Sequence, residues 1–311
     1  MGISRQQALG CLRSDDLIGI GMEADTVRRR LHPEGVVSYA LECEVSMPDE
    51  MRAEGKAGEA SRQRLYDEIC QTIGLGSTGV RLTGVLGCES KSRENEWFVG
   101  VVRDIRQRFP SLWLEALSPA EIVALATSSG LDLRQSIARL RDAGLDSIAG
   151  NSGPLTSNLA EWIAVHRAAH CLGMRTVATL RFGAGETVEQ RIDLLAAIHR
   201  LQEETDGFAA FVPVAAEAAS GRELDAVTAV EQLKTLAIAR VFLDNIENVQ
   251  WNAAAQSLKV LQTGLRFGAN DAGSVSLEGG NVSEEDLRRI IRDAGFQPVQ
   301  RDTPYRTMFL N

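Results

Sequence analysis

The sequence is poor in cysteine and lacks the close cysteine pairs from which most metal sites are built. Its five cysteines stand at positions 11, 43, 70, 88 and 171, and no two of them are closer than 18 residues. Zinc and iron–sulfur sites usually begin with two ligands on one short loop, because a short loop lowers the entropy of closing the site. The spacing therefore predicts reduced thiols that are mostly buried as small apolar groups.

Positive charge and long apolar runs are also scarce. The 311 residues include 33 Lys and Arg against 42 Asp and Glu, which gives a formal net charge of −9. Nucleic acid and anionic lipid both need a basic surface, so we expect neither as a partner. No apolar run approaches the ~18 residues of a membrane span, and the start of the chain lacks the apolar middle of a signal peptide. We predict a cytoplasmic protein that does not associate with a membrane.

Apolar runs of strand length alternate with amphipathic segments of helix length along most of the chain. The predicted strands are 36–42, 80–86, 112–117, 145–149, 175–181, 208–214, 240–243 and 265–267. Eight alternations over about 250 residues are typical of a parallel barrel. We predict an α/β fold, a parallel (β/α) TIM-type barrel, as one domain over 1–311. A helical extension over 1–31 precedes the barrel, and a helix–strand appendage over 283–311 follows it.

The loops at the carboxyl ends of barrel strands meet at one mouth, which is where ligands bind. The residues at the predicted strand exits are mainly carboxylates and amides: Glu42, Glu44, Glu115, Ser118, Ser147, Asn151, Arg181, Asp244, Asn245, Asn270 and Asp271. Such groups suit hydrogen bonding to a sugar, a nucleobase or a carboxylic acid, and Arg181 suits an anionic group. Trp251, on the predicted seventh exit loop, is either a stacking surface for a ring or a packing residue.

Two spacing matches lack the context that their chemistry needs. Gly74, Gly76 and Gly79 match G-x-G-x-x-G, but they follow a predicted helix and lead into a strand, the reverse of the order that binds a dinucleotide. His166 and His170 are four residues apart on one predicted helix, yet no further ligand accompanies them. We interpret the glycines as a helix-to-strand connection and the histidines as packed side chains.

Several segments carry a resemblance to a known family. LAIARVFLDNIENVQ at 237–250, GLRFGANDAGS at 264–274 and LRRIIRDAGFQPVQRDTPY at 287–305 resemble cyclic dehypoxanthine futalosine synthase, a radical SAM enzyme of the futalosine route to menaquinone. The resemblance extends to aminofutalosine synthase and the deazaflavin FO synthase, and upstream to LEALSPAEIVALATSSGL at 114–131 and ADTVRRRLHPEGVVSY at 24–39. It implies a barrel of the radical SAM kind.

The motif that would hold the cofactor of this family is missing. Radical SAM enzymes bind a [4Fe–4S] cluster through CxxxCxxC directly after the first strand, and the corresponding segment 41–56 contains only Cys43. One thiolate cannot hold four irons, and carboxylates such as Glu42 and Glu44 are poor substitutes for sulfur. The family's SAM loop is altered at 83–87, and its loops at 150–153, 182–187 and 212–221 also depart from the pattern. We expect no [4Fe–4S] cluster and no resident cofactor, with SAM binding left open.

Other positions keep residues of the type that the family pattern expects. Together with Arg181, they form the predicted ligand-binding set: Ser118, Arg181, Asp244, Asn245, Gln250, Asn270, Asp271 and Glu278. If catalysis remains, Glu42, Glu44, Glu115 and Asp271 are the acid–base candidates. The favoured function is a non-radical pseudoenzyme, or an accessory or regulatory protein of the pathway. Its ligand would be a futalosine-type nucleoside, and its partner an authentic radical SAM synthase or a second copy of the chain. The alternatives are a cluster-free enzyme and a SAM-binding protein without radical chemistry.

Overall fold

Parallel strands flanked by helices make up the fold in the computed structural model, which describes residues 2–48, 51, 56–85, 92–150, 158–216, 227–252, 257–276 and 282–308. The strands are β1 Val36–Ser46, β2 Gly79–Thr83, β3 Trp113–Ala116, β4 Ser147–Ile148, β5 Thr176–Phe182, β6 Phe208–Ala215, β7 Asn248–Val249, β8 Asp271–Ser276 and β9 Gln297–Gln300. The helices are α1 Arg5–Arg13, α2 Leu17–Leu31, α3 Lys56–Gly74, α4 Ser92–Arg108, α5 Pro119–Ser129, α6 Leu133–Ala143, α7 Leu159–Cys171, α8 Val188–Thr205, α9 Ala229–Phe242, α10 Leu258–Gly264 and α11 Glu284–Asp293.

The strands form two hydrogen-bonded sheets that together outline a barrel. One sheet has the order β4-β3-β2-β1-β8, with β9 paired to β1, and the other has the order β5-β6-β7; the pairings are parallel. A single bridge between Gln250 and Asp271 links the sheets on one side. On the other side, side chains bridge the gap: Ser147 Oγ donates to the Arg175 carbonyl at 2.9 Å, and Thr179 Oγ1 donates to that of Gly150. The predicted α/β barrel is confirmed, with a ladder interrupted between β4 and β5 in the described residues.

Strand β1, with 11 residues, pairs with three other strands of its sheet, β2, β8 and β9. Its carboxyl half pairs with β2, from Cys43 opposite Val80 to Ser46 opposite Thr83. Its amino half pairs with β9, where residues 36–39 lie opposite 297–300. The chain therefore returns to the amino end of the barrel after α11, and the residues that follow β9 run beneath the strands.

Local sequence signals mark many of the helix ends. Ser118 and Thr187 each form a reciprocal capping box at the start of α5 and α8, and Ser283 caps α11. Gly144 ends α6 in the left-handed conformation, where its φ of 118° and the close approach of Arg106 both require glycine. In the described residues, none of the helices has the length and apolar character needed to cross a bilayer.

Two predicted strands are wrong, and the error moves part of the predicted site. Residues 240–243 belong to the end of α9 and the residue after it, and 265–267 form a turn after α10. A short apolar run in the sequence is equally consistent with a buried strand and with a helix that is enclosed on all sides. Helix α9 is such a helix, because it is buried continuously from Thr235 to Phe242. The true β7 and β8 begin at Asn248 and Asp271, so Asp244, Asn245, Asn270 and Asp271 stand at the amino ends of these strands rather than at their exits.

Candidate functional site

A polar chamber of about 360 Å³ lies inside the barrel. Its lining comes from β1, β2, β3, β8 and the segments after β7 and β9. The lining residues are Glu42, Cys43, Glu44, Gly79, Val80, Arg81, Glu115, Asn252, Ser274 and Thr303. An adjoining space of about 250 Å³ shares its charged residues and reaches Thr179, Gln250 and Tyr305. The size falls at the lower end of the range for small-molecule sites.

Strand alternation decides which β1 side chains enter the chamber. Successive side chains point to opposite faces of a strand, so Glu42 and Glu44 face the interior. Cys43 and Val45 point the other way, into an apolar layer with Leu65 of α3. Cys43 also borders the chamber, but the residue is only 5% exposed and belongs to the apolar layer between the strand and the helices.

Arg81 links the two carboxylates nearest to it. Its Nε donates to Glu115 at 2.8 Å and its Nη1 donates to Glu44 at 2.8 Å. Glu115 also accepts the Gly150 amide at 3.1 Å, and its side chain is only 9% exposed. The charge of Glu115 raises the pKa of Arg81 above its ordinary value, against the opposing effect of burial, so the guanidinium stays charged.

The segment after β9 forms the floor of the chamber. Arg301 is 2% exposed and Asp271 is 0% exposed, and the two form a buried ion pair with Nη2 of Arg301 at 3.1 Å from Oδ1. Burial opposes the charge of Arg301, but Asp271 raises its pKa above the usual value. Tyr305 lies against the Arg301 guanidinium at 3.9 Å and donates its hydroxyl to Gln250 at 2.6 Å. This floor closes the amino end of the barrel.

The structure brings together only part of the set of residues predicted from the sequence. Glu42, Glu44, Glu115 and Gln250 line the chamber or its adjoining space, and Asp271 lies in the floor beneath them. Glu278 and Asn151 lie outside the described residues.

The remaining predicted ligand residues do not line the chamber or its adjoining space. Asn270 accepts hydrogen bonds from Arg240 and from the Val249 amide, at 2.6 and 2.8 Å. Ser118 caps α5, and Arg181 is exposed on β5. Asp244 lies 3.5 Å from Arg30, and Asn245 donates to the His199 carbonyl at 3.1 Å. The error in the predicted strands explains the misplacement of Asp244 and Asn245.

His166 and His170 are buried against Trp162 and Phe208. Both imidazoles contact the Thr176 hydroxyl, at 2.9 and 2.8 Å. Burial lowers the pKa of His170 to about 4 and lowers that of His166 well below its ordinary value. The predicted packing role of the two histidines is confirmed.

Trp251 is fully buried and its Nε1 donates to the Val260 carbonyl at 3.2 Å. It therefore offers no exposed stacking surface, and of its two predicted roles the packing role is correct.

An iron–sulfur cluster does not fit the described residues at the exit of β1, which are those up to residue 48 and Met51. The Cys43 thiol points away from the chamber, and Met47 and Met51, which follow it, are buried in the same apolar layer. Among the described residues, no three His, Cys, Asp or Glu side chains stand close enough to share a metal ion. Thioether and carboxylate groups are not the ligands that such a cluster uses.

Sequence reasoning missed the two arginines and the tyrosine of this site. Arg81 has a local signal, because it is a single charged residue inside the apolar strand GVRLT, which is typical of an inward-facing paired group. Arg301 and Tyr305 have no such signal. Their partners, Asp271 and Gln250, are distant in the chain, and only the path of the segment after β9 brings them together.

Comparison with known proteins shows relatives that match this chain over most of its length. The family model of the CofH/MqnC C-terminal region matches residues 205–310. Cyclic dehypoxanthine futalosine synthase of Streptomyces coelicolor is 29% identical over 347 aligned residues, which cover 99% of this chain and 86% of that protein. Aminodeoxyfutalosine synthase of Thermus thermophilus is 31% identical over 262 aligned residues, which cover 74% of this chain and 69% of that protein.

A solved structure shares the fold. The crystal structure of methylornithine synthase superposes with a TM-score of 0.66 over 96% of this chain and 94% of that chain, at 14% sequence identity. At this identity the likeness concerns the fold alone. It agrees with the barrel outlined by β1 to β8.

Proposed function

The chain belongs to the family that includes cyclic dehypoxanthine futalosine synthase and aminodeoxyfutalosine synthase, and we propose that it is a member that binds a nucleoside-type ligand in the chamber without radical chemistry. The observation that carries the proposal is the orientation of β1. Its inward positions are the charged residues Glu42 and Glu44, and its one cysteine faces the outer apolar layer. This orientation supports the proposal, because the described part of β1 presents carboxylates rather than sulfur to the chamber.

The chemistry of the chamber supports reversible binding of a polar molecule. Carboxylate, guanidinium, amide and hydroxyl groups face about 360 Å³ of space, and Val177, Val212 and Val214 supply an apolar wall beside them. A few fixed polar groups against apolar surface are typical of small-molecule sites. Ribose hydroxyls and a base would find both hydrogen-bond partners and an apolar contact there.

An anaerobic reconstitution with iron and sulfide tests the first half of the proposal. We expect the purified chain to retain far fewer than the four irons of a [4Fe–4S] cluster. The variant Cys43→Ser is the matched control, because iron that adheres non-specifically is unaffected by it. Four irons and four sulfides per chain, lost in Cys43→Ser, would contradict the proposal.

A thermal-shift titration tests the second half. Adenosine, SAM, aminofutalosine and dehypoxanthine futalosine are the probes, and binding raises the Tm by mass action. We expect at least one of them to raise the Tm of the wild type and to have no effect on Arg81→Met, which disconnects Glu44 from Glu115. Arg139→Met removes a surface ion pair with Glu96 and should leave the response intact. A panel with no response in the wild type rejects nucleoside binding.

One observation favours a second candidate function, a cluster-free enzyme that uses acid–base chemistry. Glu42, Glu44 and Glu115, three of the four predicted acid–base candidates, line the same chamber. Glu44 and Glu115 are held by Arg81, which leaves Glu42 as the carboxylate best placed to accept a proton. Incubation with the same probes, followed by mass spectrometry, separates this candidate from simple binding. Turnover by the wild type that Glu42→Gln abolishes supports an enzyme.

The accessory role predicted from the sequence requires that the chain bind a partner protein. A synthase of the same family or a second copy of the chain is the proposed partner, and affinity purification from cell extract tests it. Recovery of the chain alone as a monomer would count against this role.

A further inference from the structure

The interior of the barrel contains more carboxylates than guanidinium groups. Glu42, Glu44 and Glu115 face the chamber and Asp271 lies in its floor, against Arg81 in the wall and Arg301 in the floor. No other Lys or Arg lines the chamber or its adjoining space among the described residues. With the acids ionised, the described residues around the chamber carry two more negative than positive charges, one of them on Glu44, whose side chain is 59% exposed.

Both guanidinium groups are already engaged by the protein. Arg81 donates to Glu44 and to Glu115, each at 2.8 Å. Arg301 donates to Asp271, to the Asp302 carbonyl at 3.0 Å and to Gln250 at 3.5 Å. An anionic ligand would therefore have to break an internal ion pair before it gained a partner of its own.

Glu42 is the carboxylate that the protein leaves least compensated. Its side chain is 22% exposed and its ion pair with Arg301, at 3.6 Å, is too long for a hydrogen bond. The Arg81 guanidinium also interacts with Glu42, but through charge alone. Among the described residues, Glu42 accepts no hydrogen bond. A largely buried carboxylate without hydrogen bonds is unfavourable unless a charged or donor-rich partner reaches it. Glu42 faces the open volume of the chamber, so that partner can be a ligand.

We infer that the chamber selects a small organic cation, a ligand with a protonated amino group that Glu42 binds, and that it rejects anions. The inference rests on the proposed function and narrows it to one class of ligand charge. An ammonium group donates three hydrogen bonds and carries the charge that the chamber lacks. A volume of about 360 Å³ limits the rest of the ligand to roughly the size of a nucleoside.

Three nucleosides that differ at one position test the selection by charge. The probes are 5′-amino-5′-deoxyadenosine, adenosine and adenosine 5′-monophosphate, which are cationic, neutral and anionic at the 5′ position. We expect calorimetry to show the amine binding at least about tenfold more tightly than adenosine, because a charge-assisted hydrogen bond is the stronger kind. The monophosphate should not bind. Equal or tighter binding of the monophosphate overturns the inference.

Substitution of the chamber glutamates tests the same inference without a ligand. Glu42→Gln removes a charge that accepts no hydrogen bond from the described residues and should raise the Tm by roughly 2 °C. Glu115→Gln leaves Arg81 without its main partner and should lower the Tm. Glu203→Gln, on the surface with a side chain 61% exposed, is the neutral control. Two variants of the same kind in one chamber are thus expected to change stability in opposite directions.

The outcomes separate this inference from the proposed function. Glu42→Gln should also reduce the preference for the amine over adenosine to near unity, and Glu203→Gln should preserve it. A lower Tm for Glu42→Gln overturns the inference, since it shows that the protein already compensates this carboxylate. If none of the three nucleosides binds the wild type, nucleoside binding itself fails, and the sign of the change in Tm for Glu42→Gln decides the charge inference alone.

Discussion

Replacement of Arg301 with methionine tests whether the buried ion pair in the chamber floor stabilises the barrel. Arg301 is 2% exposed and Asp271 is 0% exposed. Removal of one partner from a buried pair leaves an unpaired charge and costs about 3–5 kcal/mol in the free energy of unfolding. The unfolding entropy is about 2.1 cal/mol/K per residue, so for 311 residues this loss lowers the Tm by roughly 5–8 °C. Urea unfolding followed by circular dichroism, with calorimetry for the Tm, measures both quantities.

The same segment supplies a matched control for this substitution. Arg306 forms an ion pair with Asp302 at 2.8 Å, but its side chain is 78% exposed. Exposed pairs contribute about 0–1 kcal/mol, so Arg306→Met should change the unfolding free energy little. The double variant Arg301→Met with Asp271→Leu should recover much of the loss, because neither charge is then buried alone. Equal losses for Arg301→Met and Arg306→Met would refute the reasoning.

Three further predictions concern stability. Burial lowers the pKa values of His166 and His170, to about 4 for His170, so the unfolded chain takes up these protons at a higher pH than the folded chain. Urea unfolding at a series of pH values should therefore show a free energy of unfolding that is full above about pH 6.5 and declines toward pH 4. The profile should be flatter when both histidines are replaced by phenylalanine. Gly207→Ala places a Cβ against the His170 ring, closer than a normal contact, and should cost about 1–3 kcal/mol in the free energy of unfolding. Gly10→Ala has open space around it on α1 and should stabilise the protein by about 0.5–1 kcal/mol; chemical unfolding measures both. Ser118→Ala should cost about 1 kcal/mol and Ser118→Asp little, with ligand binding unchanged in both, and a loss of binding in Ser118→Asp would contradict the capping role.

Sequence patterns predicted the architecture correctly where the local sequence contains the signal for each strand or helix. Strands β1 to β6 appear as apolar runs between capped helices, and the structure places strands within each of those runs. The pattern failed at 240–243, where the end of α9 is enclosed by α2 and the sheet and so resembles a buried strand. Burial on all sides removes the periodicity that distinguishes a helix from a strand.

The interior carboxylates were predictable and their partners were not. Glu42 and Glu44 alternate with apolar residues on β1, so a period of two indicates that they share one face. Arg301 and Tyr305 reach the chamber because the chain passes under the barrel after pairing β9 with β1. Such a contact depends on tertiary topology, which no local spacing encodes.

The position of Arg301 in the chain affects the order in which the molecule is completed during synthesis. Glu42 and Arg301 are separated by about 260 residues, so at 5–20 residues per second the ribosome makes the arginine on the order of 10–50 s after the glutamate. Throughout that interval the nascent β1 has no counterion from the floor segment. A chain released before Gln297 would lack both that counterion and the β9 pairing with β1. Quality control in the cell would therefore encounter such a fragment as an incomplete barrel, open at its amino end.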